Sequence, residues 1–349
     1  MPALTLLRRG RLAGAIIPAA AIAIAGLVVA QGGAQASSRA PALHLGPKVS
    51  LGTTPNVFAN AFADLGPNGV FYSRGSVVYV VHGSHAPKVA LHAGQTVLAL
   101  AGTGDDLFVQ TGLTVTMYSM NHLTKVRHWT LKSPVKPITS AGLYAVGGTN
   151  TVWSWTDWAT DGSGFEYATV SRILLGSSSV HVLSKLAYPG AMAANSSGLF
   201  FESQGKNGSG NYLSHASSSG HVQSSKTSAA NGTPITLTGS RIDLLAFGGS
   251  KKVTVNSYSQ ASLALKTSKQ VFGGDDSLAD TDAGLLVLST ACTPKCAAPV
   301  VSVLNDATGA ASGGVRVTGT QILLPGPYGL VIEVSHGSKG SMTLQRITS

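Results

Sequence analysis

The sequence predicts an all-β chain folded as a seven-bladed β-propeller, closed by an N-terminal strand and preceded by a signal peptide or a single membrane anchor. Three observations predict it. The composition is poor in residues that make helix surfaces, a turn residue followed by a short apolar run recurs along the chain, and the N-terminal end holds a spare strand-like segment that the last unit lacks.

The composition comes first. Charged residues make up only 11% of the chain, and 42 of 349 residues are Gly. Helix faces in water draw on Glu, Lys, Gln and Arg, whereas Val, Thr and Tyr suit strands and Gly and Ser suit tight turns. The part beyond residue 42 is longer than the usual single domain. Radial repetition accommodates that length, because each repeat adds its own small layer of core.

The repeat supports the same reading. Gly69 precedes Val70-Phe71-Tyr72, Asp106 precedes Leu107-Phe108-Val109, Gly142 precedes Leu143-Tyr144-Ala145, and Gly198 precedes Leu199-Phe200-Phe201. The pattern returns at Arg241 with Ile242 to Leu245, at Gly284 with Leu285-Leu286-Val287 and at Gly329 with Leu330-Val331-Ile332. Steps of about 36 to 45 positions, with one of about 56 between the third and fourth runs, sit near the roughly 40–50 residues of a four-stranded blade. A small apolar segment precedes each run, as in Val97 to Ala101 or Ile322 to Leu324, and a third strand follows, as in Val77 to Val81 or Val300 to Leu304. More polar outer strands then close the units, as in Lys125 to Leu131 and Val180 to Leu186. The last unit ends after Met342 to Ile347, and Leu43 to Leu51 is free to complete it, pairing an otherwise open sheet edge.

In this rhythm the chain resembles the broad secreted propeller group related to NHL, YVTN and WD-repeat proteins, over about residues 43–349. No Gly-His or Trp-Asp pair recurs at blade positions, so the resemblance implies a fold and carries no activity with it.

Residues 1–36 read as an export signal. Arg8, Arg9 and Arg11 precede the apolar run Leu12 to Ala30, and Ala34-Gln35-Ala36 offers a small-residue cleavage site. At about 1.5 Å per helical residue, residues 12–30 also approach the roughly 30 Å of a bilayer core, so an uncleaved anchor is the alternative. Both readings place residues 37–42 as a linker and the propeller outside the membrane, secreted or associated with the cell envelope.

The whole chain carries a formal charge of +10. Lys125, Arg127, Lys132 and Lys136 are the nearest thing to a basic cluster, without the stacking aromatics of a nucleic-acid site. Nucleic acid is therefore not an expected partner. A solvated basic surface is the plain reading, and attraction to an acidic polymer or anionic head groups is the functional one.

Three insertions fall between second and third strands and so share one rim. They are Trp153 to Gly164, Gly205 to Asn211, and Cys292-Thr293-Pro294-Lys295-Cys296. Trp153, Trp155 and Trp158 are three of the chain's four Trp, and an exposed indole can stack on a sugar, an aromatic group or a lipid interface. Trp155, Asp157, Trp158 and Asp161 are thus the candidate binding residues. Strand alternation offers the opposing view, in which Trp153 and Trp155 point together into a core and Trp158 alone is exposed. Asp157, Asp161 and Gly162 match part of a calcium loop, but Ala159 and Ala168 stand where further ligands belong, so no metal or cofactor is expected. Cys292 and Cys296, the only cysteines, are expected to bridge in an oxidising compartment.

The expected function is non-catalytic binding or scaffolding by a monomer, recognising a glycan, peptide or envelope protein through the rim that bears the Trp residues. The alternative is a lyase or hydrolase centred on the channel and built from His and acids. Glu occurs only at Glu166, Glu202 and Glu333, and no nucleophile elbow is present, which favours binding.

Overall fold

In a computed structural model the described residues are 42–54, 61–133, 141–160, 166–187, 191–204, 210–227, 235–247, 253–271, 277–281, 284–289, 299–304, 311–317, 320–324, 326, 329–334 and 340–348. The N-terminal segment and the Cys292–Cys296 pair lie outside them. Among the described residues no helix is long and apolar enough to cross a membrane.

The described strands form seven antiparallel sheets in sequence order, one per blade. Blade one holds β3 (Phe62–Asp64), β4 (Val70–Arg74), β5 (Val77–Val81) and β6 (Lys88–His92), and blade two β7 (Ala99–Gly102), β8 (Asp106–Thr111), β9 (Thr114–Ser119) and β10 (Lys125–Thr130). Blade three holds β11 (Ala141–Ala145), β12 (Thr151–Thr160), β13 (Glu166–Leu174) and β14 (Val180–Ala187). Blade four holds β15 (Met192–Asn195), β16 (Gly198–Gln204), β17 (Asn211–Ser217) and β18 (Val222–Thr227). Blade five holds β19 (Ile235–Thr238), β20 (Arg241–Phe247), β21 (Val253–Ser259) and β22 (Leu265–Val271). Blade six holds β23 (Ser277–Thr281), β24 (Gly284–Ser289), β25 (Val300–Leu304) and β26 (Ala311–Arg316). Blade seven takes β27 (Thr320–Leu324), β28 (Leu330–Val334) and β29 (Gly340–Thr348) from the C-terminal end, and β1 (His44–Leu45) and β2 (Val49–Thr54) from the N-terminal end.

The ring closes as the spare strand predicts. β2 runs antiparallel to β29 with Val49 opposite Leu344 and Ser50 opposite Thr343, and β1 continues the pairing with His44 opposite Thr348. Blade one grips the closing strand from its other side, where Tyr72 Oη donates to the Leu51 carbonyl at 3.2 Å and Arg74 Nη2 to the Thr53 carbonyl at 2.9 Å.

The core consists of layers between neighbouring blades, and this explains the recurrent apolar runs. In β16, Leu199 and Phe201 pack toward blade three while Phe200 packs toward blade five. In β24, Leu285 and Val287 face blade five, and Leu286 and Leu288 face blade seven. Alternate residues of a strand point to opposite faces, so a strand buried on both faces reads as an unbroken apolar run. The innermost strands carry small residues because room is short there. A Cβ on Gly102 would lie 2.5 Å from the Leu65 side chain.

Blade three corrects the sequence reading. The run Gly142 to Ala145 lies in the innermost strand β11, not in a second strand, and the second strand is β12, which contains the Trp residues. Thr151 to Thr156 alternates β-branched, aromatic and small residues, a pattern that pairs well on both sides. The presumed long insertion from Trp153 to Gly164 is therefore mostly strand, and the long step between the third and fourth runs arises from counting two different strands as equivalent.

Candidate functional site

Blade three builds the candidate site. β12 and β13 span 10 and 9 residues. The innermost strand pairs with β12 only from Val152 to Thr156, ending at Ala141 opposite Thr156. Toward the end of β12 Trp158 pairs with Ala168, Ala159 with Tyr167 and Thr160 with Glu166, and β14 follows β13 as far as Ala187 opposite Tyr167. The register shifts between Thr156 and Trp158, which makes Asp157 the residue of a β-bulge.

The hairpin stands on a buried aromatic base. Trp153 and Trp155 are 2% and 7% exposed and pack with Tyr144, Leu199 and Phe201 between blades three and four. Trp155 also hydrogen-bonds Tyr144, whose complete burial raises its phenol well above the usual range, with the Trp155 bond pulling the other way. Gly142 leaves the space for that indole, since a Cβ there would lie 1.9 Å from Trp155 Nε1. Trp155 is thus a support of the site and not a ring offered to a partner, which corrects its candidacy for binding. The physical reason is strand alternation, which turns both indoles toward blade four. Asp157 and Trp158 lie by backbone position near the C-terminal end of β12, and Asp161 lies outside the described residues.

The C-terminal ends of the second strands β16 and β24 lie on the same side of the disc as that of β12. The opposite side carries the turns between first and second strands and between third and fourth strands. There blades four and five leave a groove of 470 Å³ lined by Ser197, His215, Ser217, His221 and Gln260 among others. The His215 ring stacks on Phe200 with centroids 4.4 Å apart, and its Nε2 donates to the Ser197 carbonyl at 3.0 Å. Gln260 accepts from Asn195 Nδ2 at 2.6 Å and donates to the carbonyls of Gly239 at 3.0 Å and Arg241 at 2.9 Å. Of these bonds the one from Asn195 to Gln260 joins blades four and five, and the others brace turns within one blade, so the groove reads as a structural joint. Its lining comes from four separate turns rich in Ser, and such turns occur throughout this sequence, so no local signal marks it.

Buried carboxylates occur at Asp64, Glu202 and Asp243, on blades one, four and five. Asp243 accepts from Ser257 Oγ and lies 3.9 Å from Arg241 Nη2. Among the described residues no group of three or more His, Cys, Asp or Glu side chains is placed to hold a metal.

No family model matches this sequence, and no curated protein does. Solved structures do match. A chain in a crystal structure of a mitotic checkpoint complex aligns with TM-score 0.60 at 12% identity, covering 92% of this chain and 97% of that one. The β-propeller domain of Cps50 (Swd1) from Myceliophteria thermophila aligns with TM-score 0.57 at 12% identity, covering 86% and 100%. At such identity the likeness is one of fold, and in fold the chain is a seven-bladed β-propeller.

Proposed function

We propose that this chain is a non-catalytic binding or scaffolding propeller that works outside the cytoplasmic membrane and captures a glycan, peptide or envelope protein through the face bearing the β12–β13 hairpin. The observation that carries the proposal is the hairpin itself: a long two-stranded ladder, bulged at Asp157 and standing on the buried Trp153 and Trp155. A strand end carrying Asp157 and Trp158 in sequence above a buried aromatic support suits recognition, because preorganised aromatic anchors carry much of the energy of an interface. The basic and apolar segments at Arg8 to Ala30 support the location. The fold class agrees with a binding role, since propellers commonly act as scaffolds.

Replacing Trp158 with Ala tests the reading. Capture from envelope extract or on a glycan array is expected to weaken at least tenfold, with the thermal midpoint unchanged, because truncated Trp anchors commonly cost about 2 kcal/mol or more. Equal capture by both proteins at matched midpoints contradicts the proposal. A fallen midpoint assigns Trp158 to the core instead.

A further inference from the structure

The outermost strands of the blades share a chemical pattern. β6 carries Lys88, β10 carries Lys125 and Arg127, β14 carries Lys185, β18 carries Lys226, β22 carries Lys266 and Lys269, and β26 carries Arg316. In blade seven Lys48 lies between β1 and β2. None of these outer strands contains an Asp or a Glu. Among the described side chains the acids fall elsewhere: Asp64, Glu202 and Asp243 are buried, and Asp105 and Asp106 sit together at a turn on one side of the disc. The outer strands of blades one, two, four, five and six therefore present exposed positive charge without a carboxylate on the same strand.

Edge protection does not account for this. An outer strand is kept from pairing with another chain by charge, by Pro or by shortness, and exclusion of one sign from all seven edges is not needed for that purpose. Single-sign charge does raise the local concentration of an oppositely charged partner. Apolar side chains accompany the cations: Val89 next to Lys88, Val126 between Lys125 and Arg127, and Leu265 next to Lys266 are 53%, 54% and 51% exposed. They offer contact to the carbon skeleton that separates charges in a polymer.

We propose that the circumference of the disc binds a flexible linear polyanion, a chain whose repeating charge is a phosphate or a carboxylate. The distribution of the cations selects this partner. A flat anionic surface meets only the flank turned toward it, whereas a flexible chain follows the circumference and engages several blades in succession. Each cation then contributes modestly, and the sum is sensitive to salt because binding releases counterions from the polymer. This surface is distinct from the hairpin face, so the two can be tested separately.

The test measures binding of fluorescently labelled polyphosphate and of polygalacturonate to the full protein at several salt concentrations. Dextran serves as the neutral control, and vesicles rich in phosphatidylglycerol as the flat comparator. With four cations engaged, affinity is expected to fall roughly 50-fold between 50 and 200 mM salt, taking the slope of about 0.7 per contact known for flexible strands. Binding of both polymers supports the proposal, and binding of only one supports it and names the charge. The single variants Lys88→Gln, Lys125→Gln, Lys226→Gln and Lys266→Gln should each lower the salt slope by about 0.7, whichever blade carries the change. The combined variant should bind at least 30-fold more weakly with an unchanged thermal midpoint, and if its midpoint falls the single variants decide. Absence of polymer binding at 50 mM salt, binding indifferent to salt, loss confined to one lysine, or binding of vesicles without binding of either polymer overturns it.

Discussion

Tyr72 shows what a single side chain contributes to closing the ring. Its ring lies between those of Phe62 and Tyr79, at centroid distances of 6.2 and 5.2 Å, and its hydroxyl holds the closing strand through the Leu51 carbonyl. Burial pushes its phenol up to about 12, with the nearby Arg74 guanidinium opposing the shift. In the unfolded chain the same group ionises near pH 10. The folded state therefore holds this proton more tightly, and its contribution to stability is present below about pH 10 and is lost as pH rises through the window from 10 to about 12. Tyr72→Phe should cost about 1 kcal/mol at neutral pH through the lost hydrogen bond, yet lose less stability than the wild type between pH 10 and 11.5. Parallel curves of thermal midpoint against pH for the two proteins would contradict this account.

At the level of the strand, what could be read from the sequence depended on how many faces were buried. Second strands such as β16 and β24 pack on both faces, so their apolar runs stand out without knowledge of the fold. The outer strands also declare themselves, since Lys125 to Thr130 mixes exposed cations with the buried Trp129. Blade three misleads because its innermost strand holds Leu143, Tyr144 and Ala145, an apolar run like those of second strands elsewhere, while its true second strand is interrupted by Ser154 and Thr156. Ser154 is buried because its Oγ donates to Gln110 Oε1 at 2.8 Å, joining blades two and three, and such a partner on another blade cannot be read from local pattern. The hairpin site was legible as a concentration of Trp, but its form as a strand bulged at Asp157 depends on how β12 registers with β13, which is a matter of pairing.

Gly142 tests this assignment of strands. Alanine is normally the better residue in a regular strand, by about 0.5–1 kcal/mol, because it restricts the unfolded chain. With β11 innermost and the Trp155 indole against Gly142, the added methyl must displace a buried ring, and overpacking of that kind costs about 1–3 kcal/mol. Gly142→Ala should therefore unfold at lower urea concentration than the wild type, and a stabilised variant would mean that Trp155 does not pack there.

For the whole molecule, the ring is the unit of stability. Each layer of core is shared by two neighbouring blades, from the cluster spanning blades one to three round to the one in which Val49, Leu51, Met342 and Leu344 meet Phe62, Val70 and Tyr72. Among the described residues no blade completes its core alone. The joint between blades seven and one was legible because an unpaired strand at one end and a missing strand at the other are both visible as patterns. Its strength follows from burial. Leu43, Val49 and Leu51 are 6%, 6% and 2% exposed, and withdrawing such side chains from water is worth about 1.5–3 kcal/mol each. Their sum is comparable to the roughly 5–15 kcal/mol that hold a typical domain together, so losing them also strips the partner of β29 and uncovers Met342 and Leu344.

Closure of the ring by the N-terminal strand is the claim on which the placement of both the hairpin face and the cationic circumference depends. The direct measurement is the thermal midpoint of protein lacking residues 37–52 against that of the same protein with the segment intact. A fall large enough to leave the truncated protein unfolded or loosely folded at room temperature is the predicted result, and an unchanged midpoint would contradict closure of the propeller by this strand.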